Sequence, residues 1–251
     1  MSATESEVLD IGELGADGWC EFAIEQGWSD GLPLVAPTEA AVERFTALCR
    51  GDNEPFPPIT PRQVVPTLRS LAANAVMAGC RAEYFPVVLA ALRGVLTPEY
   101  NLHGTLATTH PCAPVVIVNG PLRKALEINC EGNCFGQGWR ANATIGRALE
   151  LILLNVGGAK PGVMDRSTQG SPAKFAFCFG ENEEASPWEP YHVRRGFAAG
   201  DSVTTVMSGE GPHNINDHGS TTGTGLLTTI AASVAQPGAN TVYGRGPYIV
   251  V

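Results

Sequence analysis

No lysine- or arginine-rich cluster occurs in this 251-residue chain, whose formal net charge is −9. Non-specific binding to nucleic acid or to an anionic membrane is thereby disfavoured, because neither charge nor patterning supplies the electrostatic footprint. Long apolar runs are also missing. The longest, "ALELILLNVGG", carries Glu150 and is too short to span a bilayer. The polar, acidic opening "MSATESEVLDIGE" has none of the features of a signal peptide, so a cytoplasmic protein is expected. Seven cysteines, an odd number without a secretion signal, fit reduced thiols better than a disulfide framework. Internal repeats and low-complexity segments are absent as well.

What is present describes a compact fold. Hydrophobic residues make up 44% of the chain and charged residues 16%. With 29 glycines and 19 prolines, tight loops between short elements are expected. "DGWCEFAIEQGW" reads as a short helix and "LPLV" as extended. Thr38 then reads as an N-cap, with Ala41, Val42, Phe45 and Leu48 on one helical face and Gly51 as the stop. The proline-rich "DNEPFPPITP" divides an N-terminal helical lobe, residues 1–58, from a main domain, 59–251. Helices follow from Thr67 to Ala78 and from about Glu83 to Leu96, with Pro86 in the first turn of the second. "PVVIVNGP", "AKFAFCFG", "DSVTTVMS" and the terminal "PYIVV" read as strands. "NATIGRALELILLNVGG" and "TGTGLLTTIAASVAQPG" read as helices. Strands alternating with helices predict an α/β or α+β fold, a mixed sheet with helices packed on it. A terminal apolar strand must pair within the sheet or with a second chain, which favours an oligomer.

Several motifs bear chemistry. Cys80 lies in "NAVMAGCRAEYFPVVLAAL" between two helical runs. A helix starting near Glu83 would hold a thiolate at its N-terminus, with Arg81 as a positive neighbour; the rival role is core filling. In "NLHGTLATTHPCAP", His110 and Cys112 are two apart and His103 is close by. These residues can serve as base or acid for a thiol, or as ligands of a transition metal such as zinc. The glycine-rich "NCEGNCFGQGWRANATIG" opens a helix at Arg140 and Asn142, where an anion can be held. Its glycines fail the dinucleotide pattern, because no strand precedes them and no acidic residue follows at the right distance. Lys160 and Asp165 share a long loop with mixed charges, and Glu183 lies in an acidic loop with Trp188 as an interface anchor.

Five blocks, "WSDGLPLVAPT", "AANAVMAGCRAEYFPVVLAAL", "NLHGTLATTHPCAPVVIVNGP", "GWRANATIGRALELILLNVGGAKPGVMDRSTQG" and "ENEEASPWEPYHVRRGF", together resemble a bacterial family encoded beside, or fused to, small UGSC-type (seleno)proteins. The resemblance spans roughly residues 17 to 251. It implies a thiol- or selenol-based reaction, reductive in character, shared between two components. This chain lacks the UGSC motif, so the resemblance implies a UGSC-type partner subunit. Members of that family continue past the terminal "GPYIVV" into a further helical segment, whereas this chain stops at Val251, as expected of a truncated or split version whose last strand another subunit completes. Cys80, His103, His110, Arg140, Asn142, Lys160, Asp165 and Glu183 all fall inside these blocks.

The expectation is therefore a thiol-dependent enzyme acting on a small, anionic metabolite. Cys80 is the nucleophile, His103 or His110 the acid or base, and Arg81, Arg140, Asn142, Lys160, Asp165 and Glu183 hold substrate. Two alternatives stand beside it: a metal-dependent hydrolase or lyase using His103 and His110 with Cys112 or Glu183, and a non-catalytic scaffolding subunit of a two-component enzyme.

Overall fold

A computed structural model of the chain describes Asp10, Gly12 and residues 14–51, 54–242 and 248–251. The described residues fall into two units, one ending at Gly211 and one from Pro212 onward. The N-terminal leader, apart from Asp10 and Gly12, and Pro247 of the terminal run lie outside the described residues.

In the first unit, helix α1 (Gly15–Glu25) precedes α2 (Glu39–Leu48). Thr38 caps α2 as its sequence predicts, accepting the Ala41 N–H. Helix α3 (Leu68–Met77) starts on a reciprocal cap between Thr67 and Ser70. Helix α4 (Phe85–Val95) carries Pro86 in its first turn, and the short α5 (Leu102–Ala107) follows. Strand β1 (Ala113–Asn119) and the short α6 (Pro121–Ala125) lead into α7 (Arg140–Ile152), whose end widens into a π-turn at Leu153–Gly157. Strand β2 (Cys178–Gly180), helix α8 (Tyr191–Arg194) and strand β3 (Val203–Gly209) complete this unit.

The sheet is mixed, in the order β2-β1-β3. β1 is parallel to β2 and antiparallel to β3. The fold is thus of the α/β or α+β class. Alternation along the strands separates two faces. Val116, Val118 and Cys178 join the helices in one large core, together with Phe85, Leu92, Ile145 and Leu149. Each fully buried side chain of this size contributes about 1.5–3 kcal/mol. Ala113, Val115, Phe177 and Phe179 face the other way and form a smaller core.

Trp19 and Phe45 belong to the large core, so the N-terminal helices expected to form their own lobe pack with the rest of the unit. Arg147 on α7 pairs with Asp30 at 2.7 Å, which ties the "SDGLP" segment to the same helix. The strand expected over "AKFAFCFG" shrinks to its last three residues, because Pro172–Lys174 turns into a single 3-10 turn. In the second unit, α9 (Gly223–Val234) starts at the cap Thr222, and Asp217 accepts hydrogen bonds from Ser220 and Thr229. Tyr248–Val251 does not form the strand expected there.

Candidate active site

The end of α3 decides the position of Cys80. Gly79 adopts φ +87°, a left-handed conformation that favours glycine. The Gly79 N–H bonds to the Val76 carbonyl and the Cys80 N–H to that of Ala75. This is the paired closure of a helix C-terminus. Cys80 therefore belongs to the negative end of α3, whereas α4 begins five residues later at Phe85. Its Sγ donates to the Thr144 carbonyl at 3.2 Å. Burial pushes the thiol up to about 12, against the smaller opposing effects of the Thr144 side chain, Arg140 and Arg147. The lowered pKa expected of Cys80 is corrected accordingly: desolvation outweighs every favourable charge.

The other expected site residues are dispersed. Arg140 spends both Nε and Nη2 on the Gly79 carbonyl, at 3.1 and 3.0 Å. Arg81 is exposed, with its guanidinium near Glu83 and Glu127. His103 pairs through Nδ1 with the Thr60 hydroxyl at 2.9 Å, and His110 Nδ1 faces Glu210 at 3.7 Å. Asp165 is bound by Lys174 at 2.9 Å, and the same ammonium donates to the Cys112 carbonyl. Lys160 is exposed. Burial raises the Cys112 thiol. Among the described residues, no three His, Cys, Asp or Glu side chains are grouped so as to hold a metal ion. The metal set of His103, His110 and Cys112 is corrected on that ground, since each histidine is engaged elsewhere.

Asn142 and Glu183 each brace the region where the parallel strands β1 and β2 end, through different partners. Asn142 is buried. Its Oδ1 accepts the Asn129 N–H at 2.8 Å, and its Nδ2 donates to the carbonyls of Asn129 and Cys134. It therefore holds the loop "NCEGNC" in place, rather than presenting itself to a ligand. The same loop is tied to β2 by the Gly180 N–H, which bonds to the Asn129 carbonyl. Phe135, just beyond it, stacks edge-on against Phe177 and Phe179. Glu183 accepts from Asn119 Nδ2 and from the Gly120 N–H, which fixes the end of β1.

Cys130 is carried on this anchored loop and is partly exposed. Arg123, only 4% exposed, donates from Nη1 to Cys130 Sγ at 3.0 Å. Its other Nη forks onto Glu184 at 2.8 and 2.7 Å, and Lys124 pairs with the same carboxylate. Those hydrogen bonds, Lys124 first and then Arg123, lower Glu184 to about 2. Gly180 must lack a side chain here, because a Cβ would lie 2.5 Å from Arg123 Cδ and 3.3 Å from Cys130 Cβ. Three buried polar side chains at or near this strand end also have atoms without a protein partner: Asn119 Oδ1, Arg123 Nε and both ring nitrogens of His192. Such atoms call for water or ligand. His192 follows Tyr191, whose N–H donates to Glu181.

The end of parallel strands is where open α/β sheets place their ligands. Arg123 and His192 carry no motif that sequence reasoning recognises. The one usable signal was the strand-ending "VNGP" followed by a basic pair. An open surface groove of about 410 Å³ over α2 and α4 lies elsewhere, and Arg93 is the one charged residue among the described residues that line it. The chain matches no protein-family model, no curated protein and no solved structure.

Proposed function

We propose that this chain is a thiol-dependent enzyme whose nucleophile is Cys130, activated by Arg123. The observation that carries the reading is the 3.0 Å hydrogen bond from a buried guanidinium to the sulfur of a partly exposed cysteine. A fixed cation favours the thiolate, which is the reactive form. Glu184 holds the guanidinium in one orientation, and Asn142 holds the loop that brings the sulfur to it. The substrate class is a small electrophile. Attack by sulfur forms an S–C bond while the bond to the leaving group breaks, and its electron pair departs with that group. Arg81, Arg140 and Lys160 are not bonded into this cluster, whereas Glu181, Glu183 and Glu184 are close by. A neutral or cationic substrate therefore suits it better than an anion. The resemblance to the UGSC-associated family makes a UGSC-type subunit the partner to add.

Iodoacetamide labelling of the folded protein, mapped by peptide mass spectrometry, tests this reading. Cys130 is expected to react ahead of the other partly exposed cysteines, Cys20 and Cys112, and Cys80 only after unfolding. Arg123→Lys keeps the charge but loses the fork, and should slow labelling of Cys130 about tenfold at neutral pH. Equal rates at the three cysteines, or no effect of Arg123→Lys, would return the chain to the scaffolding role.

A further inference from the structure

The outer edge of β3 is built to pair. Among the described residues, β3 stands at one end of the sheet order, next to β1 alone. Val116 directs its N–H to the Phe177 carbonyl on the β2 side, and it lies opposite Val206. Main-chain groups of one strand residue point to the same side, so Val116 and Val206 form a non-hydrogen-bonded pair. The N–H and C=O of Val206 therefore point away from β1, and so do those of Thr204 and Ser208, two residues to either side. Three donors and three acceptors line one edge. Sheet edges of folded proteins are normally blunted by charge, proline or a bulge. "VTTVMSG", from Val203 to Gly209, has neither charge nor proline.

We infer that this edge pairs antiparallel with the same edge of a second copy of the chain, giving one continuous six-stranded sheet about a two-fold axis. The strand is self-complementary when centred on Val206. Val206 then faces Val206 of the second copy, Thr204 faces Ser208, and Thr205 faces Met207. The outward groups of positions 204, 206 and 208 meet in reciprocal pairs, so all six main-chain groups of each copy find partners. β-branched and hydroxyl pairs of this kind are favourable across strands. The flanking charges also agree: Glu210 falls opposite Ser202 and Asp201 opposite Gly211, so no two carboxylates oppose each other. The interface is isologous and closes at two copies. This inference is independent of the role given to Cys130.

Sedimentation velocity over a dilution series, with amide hydrogen exchange on the same samples, tests it. The expected result is a dimer in which the amides of Thr204, Val206 and Ser208 are protected and lose protection on dilution. Ser208 is exposed and its N–H is not used by β1, so Ser208→Pro removes an outward donor without breaking the β1–β3 ladder. It should weaken dimerisation at least about tenfold with unchanged far-UV circular dichroism. Ser208→Lys, which leaves the backbone intact, should act in the same direction and covers the case in which the proline variant fails to fold. A monomer at every concentration overturns the inference, as does a dimer indifferent to both variants. Protection at the three amides that does not change with dilution also overturns it, and would assign the edge to a segment of the same chain.

Discussion

Glu150 on α7 is half-buried, and desolvation pushes its carboxyl up to about 8, with Lys174 opposing the shift and Asp165 and Asp30 adding to it. In the unfolded chain it titrates near ~4.3. Between these two values the folded state holds a proton that the unfolded state has released. Stability therefore falls as pH rises through that window and levels off above it. Thermal melts from about pH 4.3 to about pH 8 should show this decline in the wild type and a flatter profile in Glu150→Gln. Parallel profiles would mean that Glu150 does not titrate in this range. The contrast between Cys80 and Cys130 belongs to the same scale. Each has an arginine in its surroundings, but only Cys130 receives a direct hydrogen bond from one, and Cys80 is buried. At Cys80 the charges of Arg140 and Arg147 do not offset burial.

At the scale of elements, the loop "NCEGNC" is fixed by the first turn of α7. Asn142→Ala would strand the Asn129 N–H and the Cys134 carbonyl without their partner, whereas the Asn129 carbonyl keeps the Gly180 N–H. A buried polar group left unpaired costs ~1–3 kcal/mol, so a loss of about 3 kcal/mol is expected in chemical denaturation. The same variant should change the labelling rate of Cys130, while Cys112, whose carbonyl is held by Lys174, keeps its own. A stability loss without any change at Cys130 would detach α7 from the site. Legibility in the sequence divides along the same line. Thr38, Pro86 and the helical face of α2 announced themselves, because caps and periodicity are local. The start expected near Glu83 fell instead on a 3-10 turn, Ala82–Tyr84, and α4 begins after it. The closure of α3 at Gly79, rather than the start of the next helix, places Cys80 at a helix end.

For the whole molecule, every buried residue of the described chain lies at or before His192, and none of the α9 residues is buried. The unit ending at Gly211 holds the core, so a chain stopped there should keep a cooperative melt with a transition close to that of the full chain. Loss of cooperativity would show that the segment from Pro212 contributes to the core. Among the described residues, no helix is long and apolar enough to cross a membrane, in keeping with the run lengths in the sequence.

The sequence by itself determined the fold class, most helix positions and the β1 core strand, because hydrophobic period, capping residues and β-branched density act over a few residues. It also singled out Asn142 and Glu183, although for binding a ligand and not for holding a loop and a strand end. Only the tertiary structure decided which cysteine meets a cation. Arg123 reaches Cys130 across seven positions, and Glu184 reaches Arg123 across sixty-one. Juxtaposition over such separations is set by the packing of β1, α6 and β2, and burial, which governs a thiol's pKa, exists only once that packing is complete.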